Sequence, residues 1–525
     1  MKKYIYLALM VFASFAVILN SCKKSELETL YPDPSKSSTA TVENFLTGLF
    51  QTANEVVLPW YWRFFVVEQP TLGHYTHTMG WFNSKDQYIP PAAAMDWRWN
   101  QYYNLVTQYR VMESLYDAKD DVAKEELRIF MIAATIFFYD QTQQVIDLYG
   151  DIPWSEAGMV RTIGNLDEAL PKYDDAQTIY TTMMDDLKLL AVDLSTIQVP
   201  AFYAGLFTTK DFINNGDITL WRKYCNSLRL RMLMRVSDVL TARAQTEIAE
   251  ILGDPGTYPI IESNAENIMN DAGGPDMYAT TSSKNGGIRS AMETWGQYDI
   301  APYSMVKNLV DNGDPRLPAI FDPNINGEYI GMDPMDNETD QNTKLTAGLV
   351  SRYDTSSFTR NDLFPGFIIT AAEVSFIKAE AIHKGYGSGS AKAAYEKGIE
   401  QSIELYFSIN ETGTYRTPLD KPSTGDITSY INGPGVNWDG NSDKIALIGT
   451  QKWINTGLGE KPQTWAEYRR LDAPALIFPA DPTSQQTAPP VRWLYPQSEK
   501  DLNDANYQTV KAKDDLNIKI FWDVH

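Results

Sequence analysis

Only 2 of the 525 residues are cysteine and 4 are histidine, and the 45 basic residues are outnumbered by 67 acidic ones. The formal charge of −22 and pI near 4.7 argue against nucleic acid, because little would neutralise its phosphates. They argue equally against electrostatic docking on anionic lipid. The sequence has no G-x-S-x-G, P-loop, H-E-x-x-H, kinase signature or complete dinucleotide fingerprint. Gly385-Tyr386-Gly387 lacks the third glycine and follows a helical pattern, so it reads as a turn. No carboxylate pair stands out as the acid and nucleophile of a glycosidase. Nothing marks an enzyme, and no cofactor is expected. Two of the histidines, His74 and His77, lie three apart in a glycine-bounded loop without further metal ligands, and hydrogen bonding is the expected role. What the chain does have is aromatic: 13 Trp, 30 Tyr and 21 Phe within a 43% hydrophobic composition that excludes a disordered or fibrous protein.

The first residues set the compartment. Lys2 and Lys3 precede an apolar stretch from Tyr4 to Leu19, then Asn20-Ser21-Cys22 and polar Lys23-Lys24. A charged start, a short apolar run and a small residue before a cut describe a signal peptide over residues 1–21. The run is too short to span a membrane comfortably. Cys22 directly after the small residue resembles a lipobox, in which the thiol is acylated and anchors the protein. Cleavage would remove two lysines and no acid, taking the charge from −22 to −24. Cys225 would then lack a disulfide partner, and its apolar helical setting predicts a buried, inert thiol. Residues 22–41 read as a lipidated tether and 42–525 as one domain.

From Val42 onward the periodicity is mainly helical. Trp221, Cys225, Leu228, Met232, Val236 and Leu240 form an amphipathic stripe, with Arg222, Arg229 and Arg235 beside it as a solvated or ion-paired face. Asp121–Tyr149 is a second periodic run, stopped by Gly150, and Asp174–Leu194 a third. Ala372–Lys384 and Ala391–Tyr406, joined by a Gly/Ser turn, span 35 residues, close to a tetratricopeptide hairpin. Long segments rich in Gly, Pro, Asn and Asp, about 253–366 and 410–442, interrupt the helices. The expected fold is mainly α, a tetratricopeptide-like helical-repeat scaffold with irregular insertions forming a ligand-binding face. Asp322–Asp333 and Asp439–Asp443 resemble calcium loops but fit turns better.

Seven stretches carry a family resemblance: "LYGDIPWSEA" (148–157), "YDDAQTIY" (173–180), "WRKYCNSLRLRMLMRV" (221–236), "DNGDPRLPAIFDP" (311–323), "AAEVSFIKAEA" (371–381), "QKWINTGLGEKPQTWAEYRRLDAP" (451–474) and "RWLYPQSEKDLNDANY" (492–507). In this order, behind a lipobox, they resemble the SusD/RagB family, in its SusD-like branch. The resemblance implies a surface-exposed outer-membrane lipoprotein on a tetratricopeptide-like scaffold. Such a protein captures a nutrient, commonly an oligosaccharide, and passes it to a SusC-like TonB-dependent transporter without chemistry of its own. Within the matching stretches, Trp465, Tyr468 and Arg469 share a helical face and are expected to hold the scaffold.

Sugar recognition needs aromatic rings for C–H faces and amides or carboxylates for hydroxyls. The densest such region is 60–103, which offers His74, Tyr75, Trp81, Asn83 and Trp97. Trp81, in a Gly-Trp-Phe-Asn turn, is expected to be the most exposed of them. Trp97 and Trp99 open a helix, so at least one should pack inward. A second region offers Trp295 and Tyr298, and Trp438 is a weaker third choice. Two other functions stay open at this level: a protein-interaction scaffold, as helical repeats often are, and a secreted glycoside hydrolase.

Overall fold

The computed structural model describes residues 40–159, 170–270, 288–294 and 299–525. The expected signal peptide, Cys22 and most of the tether lie outside these residues, as do Trp295 and Tyr298. Helix α1 (Val42–Val57) starts where Thr41 accepts a hydrogen bond from the Asn44 amide at 3.3 Å. It packs against α2 (Ala92–Asp117) and α3 (Asp121–Tyr149). The α3 boundaries follow from its ends: Asp120 accepts from Ala123 N at 2.9 Å, and Gly150 takes φ 80°. From Ile129 to Tyr149 nearly every α3 side chain is buried, because helices pack on it from several sides.

Next come α4 (Ala176–Thr196), α5 (Ala201–Lys210), α6 (Ile218–Arg235) and α7 (Thr241–Gly253). The expected stripe through Leu240 stops at Arg235, where the Val236 amide is shared between the Met232 and Met234 carbonyls. Of the three arginines beside the stripe, two are ion-paired and the third bonds backbone carbonyls. Arg229 pairs with Glu247 at 2.6 Å and Arg235 with Glu467 at 3.0 Å, while Arg222 donates to the Gly256 and Thr257 carbonyls. Cys225 is fully buried; burial pushes its thiol up to about 12.

Short helices α8 (Tyr303–Asn312) and α9 (Glu338–Thr346) lie within the first insertion. Three two-stranded antiparallel pairs tie distant segments together: β1 (Ile152–Pro153) with β2 (Tyr173–Asp174), β3 (Ile268–Asn270) with β6 (Gly366–Ile369), and β4 (Phe321–Asp322) with β5 (Arg352–Tyr353). The helical hairpin α10 (Ala371–His383) and α11 (Ala391–Thr412) appears as read, and its turn uses Gly385 and Gly389 at positive φ. A Cβ at Gly398 would sit 2.6 Å from the Phe376 ring, so glycine permits that close crossing. Helices α12 (Thr424–Ile431), α13 (Lys444–Thr456) and α14 (Lys461–Leu471) follow. The result is mainly α, with a tetratricopeptide-like helical scaffold and irregular insertions.

Buried ion pairs tie α10, α13 and α14 together. Glu380 accepts from Arg470 at 2.6 and 2.7 Å and from Lys452 at 2.8 Å. Burial alone would raise the Glu380 carboxyl, but the two cations outweigh it and hold it down at about 2. In both calcium-like loops side-chain oxygens are already engaged within the protein. The Asp322 carboxylate is taken by Arg416 and Thr355, while Asn324 Oδ1 makes an Asx turn to Asn326 N at 2.9 Å. In the second loop Asp443 caps α13, and the Lys444 ammonium donates to the Trp438 and Asn441 carbonyls.

Candidate ligand-binding site

After α1 the backbone winds from Trp62 to Gly73 as a π-helix with Pro70 inside it, a geometry seen often at functional sites. Arg63 stabilises it from behind, donating to Glu68 at 2.6 Å and to the Gly459 carbonyl at 2.9 Å. The loop that follows has its own fastenings. The Trp453 indole donates to Thr76 O at 2.6 Å, Tyr353 donates to Thr78 O, and His77 Nδ1 lies 2.7 Å from Ser304 Oγ. Gly80 N donates to Ile300 O at 2.9 Å, and a Cβ there would lie 2.6 Å from Ile300 Cγ2. His77 and Asp86 adopt left-handed backbone at φ 49° and 64°, which His and Asp tolerate better than most residues.

Between π-helix and loop lies a cleft of about 320 Å³, lined by Gln69, Pro70, His74, Trp81, Phe82, Ser84, Asp86, Gln87, Ile89 and Pro91. That volume sits at the lower end for small-molecule sites. The Trp81 ring packs 4.1 Å from His74 and 4.7 Å from His77, centre to centre. Its indole N–H points between Asn83 Oδ1 at 3.1 Å and Gln87 Oε1 at 3.2 Å. Burial and the neighbouring His77 hold the His74 imidazole well below its ordinary range. Burial brings His77 down to about 3, so both rings are neutral at pH 7. The Nε2 atom of each has no hydrogen-bond partner. Among the described residues no group of three or more His, Cys, Asp or Glu could hold a metal.

The residues expected to bind ligand divide clearly. His74 and Trp81 meet in the cleft. Trp81 is only 6% exposed, not the open ring its turn suggested, because the two histidines cover it and its N–H is satisfied internally. Asn83 is a latch: its amide donates to the carbonyls of Pro334 and Asp336, and its backbone N–H donates to Gln341 Oε1 at 2.7 Å. Tyr75 is fully buried against Trp465 at 5.8 Å and belongs to the core. Trp97 packs on Trp60 at 6.5 Å and does not line the cleft, while Trp99 turns inward. Trp438 is partly buried against Tyr395 at 5.3 Å. Gln69 and Pro70 were missed, although both lie inside the region singled out. Phe478, 4.5 Å from the His77 ring, and Asp481, which accepts from Asp86 N at 2.7 Å, come from far along the chain and carry no local signal.

The model of the SusD-like family described as "Starch-binding associating with outer membrane" matches residues 38–496. Among solved structures, a chitin-binding protein aligns over 92% of this chain and 100% of its own at 22% identity and a TM-score of 0.71. A chitin-binding SusD homologue from Flavobacterium johnsoniae aligns over 92% and 99% at 21% identity and 0.69. A SusD homologue from Bacteroides fragilis aligns over 92% and 100% at 20% identity and 0.71. At these identities the likeness is one of fold. A comparison with curated protein sequences finds no match. No helix among the described residues is long and apolar enough to cross a membrane.

Proposed function

The chain belongs to the SusD-like family, and on that premise we propose that it is a non-catalytic, cell-surface lipoprotein that captures an oligosaccharide. In this reading Cys22 carries the lipid, and the ligand passes to a SusC-like TonB-dependent transporter in the outer membrane. The observation that carries the reading is the cleft itself. An indole and a phenyl ring stand beside the amides of Gln69 and Gln87 and the hydroxyl of Ser84, the mixture a sugar requires. The chitin-binding neighbours and the family's starch-binding description favour a glycan over a peptide. Asp86 is the only carboxylate among the cleft-lining residues, whereas a glycosidase places two across the scissile bond.

The test begins with the mature protein on a glycan array. Calorimetric titration of the strongest ligand then compares wild type with Trp81→Ala and Gln87→Ala. Binding without release of reducing sugar, weakened by both substitutions, is the expected result. Turnover that disappears in a carboxylate variant would replace this reading with a hydrolase.

A further inference from the structure

We infer that the cleft admits uncharged oligosaccharides and rejects those carrying carboxylate or sulfate groups; this rests on the glycan-binding reading above. Four observations converge on it. No lysine or arginine lines the cleft among the described residues, so an anionic ligand would find no cation to pair with. Recognition of carboxylate or sulfate ordinarily uses such a cation, and an anion brought into a partly dry site without one is penalised.

The charge that is present has the wrong sign for an acid. Asp86 lies on the rim with an exposed side chain, and its own amide is tied to Asp481 Oδ2 at 2.7 Å. Asp481 is itself buried, so a second negative charge stands directly behind the first. The His74 imidazole in the lining supplies no counter-charge, since burial and the neighbouring His77 keep it neutral, and His77, packed on Trp81, is kept neutral by burial as well.

Three of the nearby cations are paired with acids, and the fourth, exposed Lys85, is not part of the lining. Arg63 and Lys461 face Glu68 behind the π-helix, Lys344 pairs with Asp336, and Lys85 does not line the cleft. What remains for recognition is neutral: the side chains of Gln69, Ser84 and Gln87, with the rings of Trp81 and Phe82. These suit hydroxyls, acetamido groups and sugar C–H faces. At long range the whole molecule, at −22, adds repulsion of the same sign.

The experiment pairs one neutral oligosaccharide selected from the array with its chemically carboxylated derivative. Each is titrated into the mature wild-type protein and the Asp86→Asn, Ser84→Arg and Trp81→Ala variants, at low and at physiological salt. The neutral ligand is expected to bind at least tenfold more tightly than the carboxylated one, a gap of about 1.4 kcal/mol. The gap should narrow as salt screens the rim and in Asp86→Asn, while Ser84→Arg should gain affinity for the carboxylated ligand. Equal or tighter binding of the carboxylated ligand by wild type, with Trp81→Ala still abolishing binding of the neutral one, would overturn the inference alone. If neither ligand depends on Trp81, the cleft reading fails and this inference fails with it.

Discussion

The same chemical change, glycine to alanine, should have opposite effects at two places in this chain. A Cβ at Gly80 would lie 2.6 Å from Cγ2 and 2.9 Å from the carbonyl oxygen of Ile300. A backbone oxygen cannot rotate away, so the loop would have to lift. Overpacking of this kind costs about 1–3 kcal/mol. Lifting also loosens the Gly80 N–H bond to Ile300 O at 2.9 Å and the Gln69 bond to Gly80 O at 3.1 Å. A lost hydrogen bond adds about 1 kcal/mol, for a total of roughly 2–4 kcal/mol. Gly205, inside α5, has nothing within 4 Å of its Cβ position. There alanine removes backbone entropy from the unfolded chain and should stabilise by about 0.5–1 kcal/mol. For a chain of this length 1 kcal/mol corresponds to roughly 1 °C in melting temperature. Calorimetric melts should therefore show Gly80→Ala about 2–4 °C lower and Gly205→Ala slightly higher than wild type. Because Gly80 precedes Trp81, Gly80→Ala should also weaken glycan binding several-fold, and Gly205→Ala should not. Unchanged melting and affinity in Gly80→Ala would refute the tight docking of this loop on Ile300.

Glu380→Gln leaves the buried Arg470 and Lys452 short of a counter-charge and should cost about 3–5 kcal/mol, read by thermal melting. Glu380 is depressed to about 2, so its contribution is present above the ordinary carboxylate range and is lost as pH falls towards 2; acid melts of the variant should be correspondingly flatter. Glu460 has the opposite sign. It is buried with both carboxyl oxygens unpartnered, and burial raises it well above 4.5. Its folded form holds a proton the unfolded chain releases, so stability falls as pH rises above the ordinary range, and Glu460→Gln should raise the melting temperature more at pH 8 than at pH 5. Cys225 should resist thiol reagents in the native protein and react after denaturation; rapid native labelling would contradict its burial.

The regular helices were legible because local signals agree with packing. Asp120 and Gly150 bracket α3, and the small residues of α11 face α10 as the pattern required. The arginines of α6 show where such reading ends. A helical period assigns charge outward, yet the acids that bury Arg229, Arg231 and Arg235 come from α3, α7, α10 and α14. The π-helix escaped notice for a different reason: its hydrogen bonds do not follow the 3.6-residue period, and Pro70 reads as a break. In the cleft, region 60–103 was identifiable from its aromatic density, but the role of each ring was not. Tyr75 and Trp81 sit six residues apart in the same loop, one in the core against Trp465 and one on the cleft wall beside His74. For Tyr75 the deciding partner, Trp465, lies far along the chain, where no local pattern could reveal it.

The most direct measurement is calorimetric titration of the array-selected neutral oligosaccharide into wild type, Trp81→Ala and Trp81→Phe. The account predicts at least a tenfold loss in Trp81→Ala, about 1.4 kcal/mol, with most of the affinity restored in Trp81→Phe, which keeps an aromatic face. Equal affinity in all three proteins, with the fold intact by circular dichroism, would contradict the assignment of this cleft as the glycan site.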